Sequence, residues 1–239
     1  MVDIIVEYRW ADGKYNQLSN LAADLASCNV QVIAASFTAA AVAAKRATST
    51  IPIPLNAGLI PSLIRPAGNV TGVTFLSGVA GTKRLGLLRE LVPATKIFGV
   101  LINPSNPLAS DSFSKDVPQA AHAIGLQMLI FTASAESEIN TSFMSMVEQH
   151  VDALIVGPDA FLFGQRDQII DLAIHNAIPA MYEWPEFVRA RGLMSYGASR
   201  PDAFPQDGNY ASRILKGEKP ADLPVLQSVK FDFMVNLTT

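Results

Sequence analysis

The chain has 239 residues, 49% of them hydrophobic and 16% charged, and a formal net charge of −3. That is enough apolar material for one large α/β domain or two smaller lobes, and the near-balanced charge without a long basic run argues against a nucleic-acid surface. No run of about eighteen apolar residues occurs, so no membrane span is expected, and the single Cys28, read as a buried small hydrophobe, fixes no redox compartment.

Ile4–Tyr8 reads as a strand, in an N-terminus without the basic head and cleavage site of a signal peptide. Leu18, Leu21, Ala22 and Leu25 mark one helix face. Val30–Ala35 reads as a second strand, Ala39–Ala47 as an Ala-rich helix, and Ile51–Leu55 as a third strand whose two prolines predict a short or edge position. Val70–Leu76 is the next strand, reached through a connection that is short for a parallel crossover. Thr82–Leu91 is an amphipathic helix. A second alternating series follows: strand Ile97–Ile102, helix Ser110–Ile124 with a kink expected at Pro118, strand Gln127–Phe131 and helix Glu136–Gln149. Strand Ala153–Val156, helix Gln165–Asn176, strand Ile178–Met181, short helix Pro185–Ala190 and strand Leu193–Tyr196 come next. A helix over Ala203–Leu215, weakened at Pro205 and Gly208, and a last strand Lys230–Val235 complete the chain.

Two βα series in tandem predict an α/β protein of two doubly wound parallel-sheet lobes around a cleft. The boundaries place residues 1–76 with 198–226 in the first lobe and residues 77–197 with 227–239 in the second. Four apolar runs break off into polar clusters at strand ends, where open α/β sheets bind ligands. Ser36, Phe37 and Thr38 open a helix whose free N–H groups suit an anion; alternatively Ser36 or Thr38 is a plain N-cap and Phe37 a packing residue. Asn56 ends the next strand, as a contact or a turn residue, and Phe75 and Ser77 sit where the chain first passes between lobes. Asn103 and Asn106 flank a Pro-Ser turn, and Asp159 offers a carboxylate to an ammonium group or caps a loop. Tyr182, Glu183 and Trp184 combine aromatic faces with an acid that can pair with an amine, and Tyr196 lies at the second crossing.

Enzyme chemistry finds little support. His122, His150 and His175 fall at helix C-terminal ends, where the helix dipole favours them, and none has metal-ligand spacing. There is no Gly-x-Ser-x-Gly elbow, no Gly-x-Gly-x-x-Gly after a strand and no Gly-Lys-Ser/Thr loop.

Several stretches carry a family resemblance: Glu7-Tyr8-Arg9-Trp10-Ala11-Asp12-Gly13, Ile51-Pro52-Ile53, Arg65-Pro66, and Gly68-Asn69-Val70-Thr71-Gly72-Val73-Thr74. Others are Lys83-Arg84-Leu85, Leu88-Arg89-Glu90-Leu91-Val92-Pro93, Asn103-Pro104, Arg166-Asp167-Gln168, Ile178-Pro179-Ala180, Gly192 to Gly197 and Ile214 to Pro224. Together they resemble, along the whole chain, the extracytoplasmic substrate-binding proteins of bacterial ABC transporters, in the branch described as tryptophan/tyrosine uptake components. The resemblance implies a type I periplasmic-binding-protein fold with a small amino-acid-like or aromatic ligand between two lobes. It also implies a membrane permease as partner, a periplasmic location, no cofactor and no catalysis. Members of that family begin with a signal peptide, a first strand and a helix upstream of the position of Ile4. An exposed sheet edge in the first lobe, and self-association through it, are therefore expected. The rival readings are a small-molecule sensing module of a regulatory system and, further off, an α/β enzyme.

Overall fold

The computed structural model describes residues 4–58, 68–75 and 77–238. Its Cα positions group into two compact units, Met1–Thr74 with Ala203–Gln227 and Phe75–Asp202 with Ser228–Thr239.

The first unit is built on strands β1 (Ala35–Ser36), β2 (Ile53–Gly58), β3 (Val70–Phe75, whose last residue opens the second unit) and β9 (Leu226–Gln227), in the order β1-β2-β3-β9. β1 runs parallel to β2, and β3 parallel to β9. Helices α1 (Leu18–Ser27) and α2 (Thr38–Ala47) accompany them. Ile33, Ala35, Ala41, Ala44, Ile53, Leu55 and Val70 form the core. Two of its alanines, Ala41 and Ala44, lie on α2, where small side chains let the helix approach the sheet closely. Two polar side chains tie the strands together. Asn69 donates through Nδ2 to the carbonyls of Thr48 and Ile51, and the Thr71 hydroxyl donates to the Leu223 carbonyl at 2.9 Å. Gly72 is required: at φ +132°, a Cβ there would lie 2.2 Å from the Leu55 carbonyl oxygen.

The second unit holds a six-stranded sheet. Its strands are β4 (Ile97–Ile102), β5 (Gln127–Thr132), β6 (Ala153–Val156), β7 (Ala180–Tyr182), β8 (Met194–Ala198) and β10 (Phe231–Val235). The order is β10-β8-β7-β6-β4-β5, all parallel except β10, which runs antiparallel to β8. The continuous apolar runs of β4 and β6 are those of strands covered on both faces, and β6 is buried throughout. The helices are α3 (Ser77–Leu91), α4 (Pro107–Ala123), α5 (Glu136–Glu148), α6 (Ala160–Gly164), α7 (Arg166–His175) and α8 (Pro185–Arg189). Helix α9 (Arg200–Leu215) begins in this unit and continues in the first. Leu85, Leu88, Phe98, Val100, Phe113, Val117, Ile155 and Met181 interlock in the core.

Several expectations are corrected. Ile4–Tyr8 forms no strand; Ile4, Ile5, Val6 and Tyr8 are exposed, and the segment is held by Arg9, which pairs with Asp24 and Glu7. The strand over Val30–Ala35 shrinks to Ala35–Ser36. The proline-bearing β2 is interior, not at an edge. The Ile53 N–H points to β3, donating to the Asn69 carbonyl, so the Pro54 nitrogen faces β1. The Ile33 N–H already donates to the Pro52 carbonyl there, and the assigned ladder starts just after the proline, at Leu55. Cys28 is exposed, because it follows the last turn of α1 and does not sit on its buried face. The helices expected across Pro118 and Pro205 are present as α4 and α9. Most of the short connection before β3 lies outside the described residues.

Candidate functional site

The carboxyl ends of β4 and β6 carry a buried polar network. Asp159 follows β6 as the N-cap of α6; its Oδ1 accepts from the backbone N–H groups of Phe161 at 2.9 Å and Leu162 at 3.1 Å. Asn103, directly after β4, donates through Nδ2 to the same oxygen, and Asn106 donates through Nδ2 to Oδ2, both at 3.0 Å. Asn103 also shapes its own turn by accepting from the Ser105 N–H, and Asn106 takes the N-cap position of α4. The network floors a small, shallow depression, partly open to solvent, whose apolar lining includes Ile102 and Phe113. The three candidates therefore meet at one place. The Asp159 carboxylate, offered by the sequence to an ammonium group, is engaged by four donors of the chain itself.

A second cluster lies at the ends of β7 and β8. The Tyr182 ring is buried and stacks on Phe187 with centroids 4.4 Å apart, and burial pushes its phenol up, well above its ordinary range. Glu183 and Arg84 form a buried ion pair, Nη2 to Oε1 at 3.0 Å, with side chains 6% and 0% exposed. The Arg84 Nε donates to the Tyr196 carbonyl at 2.7 Å. Glu183 lies hard against β8 because position 197 is glycine; a Cβ there would fall 2.2 Å from the Glu183 carbonyl oxygen. Burial pushes the Glu183 carboxyl up and the Arg84 guanidinium down, and each charge pulls the other back. The second carboxylate oxygen, Oε2, is buried and makes no hydrogen bond with the described residues.

Beside this pair, Trp184 meets Phe163 edge-on with centroids 5.0 Å apart. The Arg200 guanidinium lies 5.1 Å from the Phe163 ring and 5.3 Å from that of Trp184, with Glu186 at 3.6 Å. Tyr196 is half-buried and stacks on Phe231.

In the first unit, Ser36 and Asn56 face each other in the β1–β2 register. The N-cap of α2 is neither Ser36 nor Thr38 but Phe37, with no side-chain cap and a backbone at φ 68°, ψ 151°, a region that side chains disfavour. Phe75 ends β3 half-buried, and Ser77 opens α3.

Sequence reasoning missed Arg84, Arg200 and Phe163. Arg84 had a signal. Ala80, Arg84 and Leu88 recur at helical spacing on the buried stripe of α3, and a charge on such a stripe demands a buried partner. Arg200 and Phe163 sit in stretches with no comparable pattern.

A family model described as ABC transporter substrate binding protein matches residues 2–239. The chain belongs to that family. This receptor is 26% identical to a tyrosine-binding protein of Clostridioides difficile over 99% of its own length and 70% of that protein's. A conserved domain protein of Vibrio cholerae superposes with TM-score 0.88 at 24% identity, covering 97% of the receptor and 79% of that chain. A Streptococcus pneumoniae ABC domain in complex with L-Trp gives TM-score 0.83 at 22% identity, covering 95% and 80%. The fold is that of the type I periplasmic binding proteins, and the receptor is a small-molecule-binding component of an ABC transporter, with a permease as partner. No described helix is long and apolar enough to cross a membrane.

Proposed function

We propose that the receptor binds an amino acid with an aromatic side chain, of the tyrosine or tryptophan class, and delivers it to an importer from the periplasmic side without chemically changing it. The observation that carries this reading is the conjunction, at the ends of β7 and β8, of the Glu183 carboxylate with the aromatic pair Trp184 and Phe163. Glu183 meets the ligand's ammonium group through Oε2, and aromatic faces suit its ring. Asn103 and Asn106, with Asp159 behind them, present a fixed polar edge beside Phe113. Tyr182 serves from behind, seating the strand end against Phe187. Tyr196, Phe75 and Ser77 remain proposed contacts of the second unit, and Ser36, Phe37, Thr38 and Asn56 of the first, where the N-terminus of α2 favours a carboxylate. The related tyrosine-binding protein and the L-Trp complex support the ligand class.

A thermal-shift screen of the protein amino acids tests it. At a hundredfold excess over its Kd, a true ligand stabilises by about 2.7 kcal/mol. Tyrosine or tryptophan is expected to give the largest shift; a screen in which neither shifts the transition, while a sugar or an organic anion does, overturns the ligand class.

A further inference from the structure

We propose that Arg84, a residue that need not touch the ligand, is the positioning residue of the binding wall, holding the Glu183 carboxylate charged and aimed so that its second oxygen is available to the ligand's ammonium group. This deepens the reading given above and rests on it.

The geometry gives Arg84 three attachments from one side chain. Rooted in α3, it reaches the residue after β7 through Nη2, the backbone of β8 through Nε, and the Phe113 ring of α4 at 5.7 Å. A planar guanidinium makes these bonds in fixed directions, which a lysine ammonium does not. Two candidate contacts, Glu183 and Tyr196, are thus tied to a single side chain that is fully buried. The bond leaves Oε1 occupied and Oε2 without a partner among the described residues, so the pair has a direction. A buried carboxylate without a cation nearby takes up a proton, and a protonated Glu183 no longer attracts an ammonium group. The charged or titratable groups around Glu183 are Arg84 from α3, Arg200 from the first turn of α9, Glu186 from α8, which engages Arg200, and Tyr196 from β8. Arg84 is hydrogen-bonded to the carboxylate.

The test is calorimetric titration of the whole receptor with L-tyrosine and with its deaminated counterpart, hydroxyphenylpropionate, from about pH 5.5 to 8, where the ammonium stays charged and titrations elsewhere in the receptor that affect both ligands alike cancel between them. The readout is the ratio of the two affinities. In the wild type, L-tyrosine is preferred by at least about tenfold, the worth of a charge-assisted hydrogen bond. Glu183→Gln abolishes that preference at every pH. Arg84→Met retains it only at higher pH, the midpoint moving up by about one unit or more. Arg84→Lys, which restores the cation, brings the midpoint back. If Arg84→Met does not fold, Arg84→Gln replaces it, keeping a donor and losing the charge, with the same expected shift. A Met or Gln variant whose ratio follows the wild-type profile, or which weakens both ligands equally at all pH values, overturns the proposal and leaves Arg84 a purely structural residue. A wild type that binds both ligands equally overturns the ammonium role of Glu183 and this proposal together. A wild type that binds neither overturns the ligand class itself.

Discussion

Arg84 and Glu183, far apart in sequence, meet at 3.0 Å in the interior of the second unit, the arginine with no exposed surface. Each compensates a burial that neither would tolerate alone. The pair is therefore better understood as a mutual constraint than as a source of net stability, since two charges taken out of water recover in attraction about what they lose in hydration.

Removing one partner should accordingly be costly, and removing both much less so. Arg84→Met is expected to destabilise the protein by about 3–5 kcal/mol in urea unfolding, and the double change Arg84→Met with Glu183→Met to regain most of that loss. A double variant as unstable as the single one would contradict the mutual-constraint account.

The network at the ends of β4 and β6 makes a separate prediction. Asp159→Ala removes the cap of α6 and leaves two buried asparagine amides without their acceptor, a loss of about 1–3 kcal/mol in thermal unfolding. Asn103→Ala should cost less, and a double-mutant cycle between the two should show a coupling of at least about 0.5 kcal/mol. Strict additivity would mean that the contact at 3.0 Å carries no energy.

Asp152 gives a pH dependence with a defined sign. Its exposed carboxylate accepts from the backbone N–H groups of Ile97 and Lys96, which hold its pKa below the ordinary 3.8. A depressed folded-state pKa contributes stability that is fully present above the unfolded value and is lost as the pH falls through the folded one. Asp152→Ala should therefore lower Tm at neutral pH, and the difference from wild type should shrink as the pH drops below 3.8. A gap that widens on acidification would reverse the assignment.

Gly72→Ala should be among the most damaging single-methyl additions in the first unit. The new Cβ would collide with the Leu55 backbone, not with a movable side chain, and would require a φ that alanine avoids. A loss well above about 1 kcal/mol is expected in chemical denaturation; a neutral outcome would require β2 and β3 to separate.

The residues themselves explain how much of this was legible beforehand. Strands β4 and β6 were read with their observed ends, because an uninterrupted apolar run closed by Asn103 or Gly157 has few other solutions in an α/β chain. Asn103, Asn106 and Asp159 are each legible as strand-end residues, although nothing in the pattern says that they meet and bond one another. Ile4–Tyr8 has the apolar content of a strand, but strand formation needs a neighbour, and none accompanies it among the described residues. The prolines of the Ile51–Leu55 stretch predict a short or edge strand because the direction in which the Pro54 nitrogen points depends on register, which the pattern alone does not give. Arg84 stayed hidden because its partner lies on a different strand end, and only the tertiary fold joins them.

The most direct test of the central claim, an aromatic amino acid as ligand, is calorimetric titration of the wild-type receptor at neutral pH with L-tyrosine and L-tryptophan against L-leucine and L-glutamate. The account predicts saturable binding of one or both aromatic amino acids, at least about tenfold tighter than of the other two. Equal or tighter binding of leucine or glutamate, or no binding of either aromatic amino acid by folded protein, would contradict it.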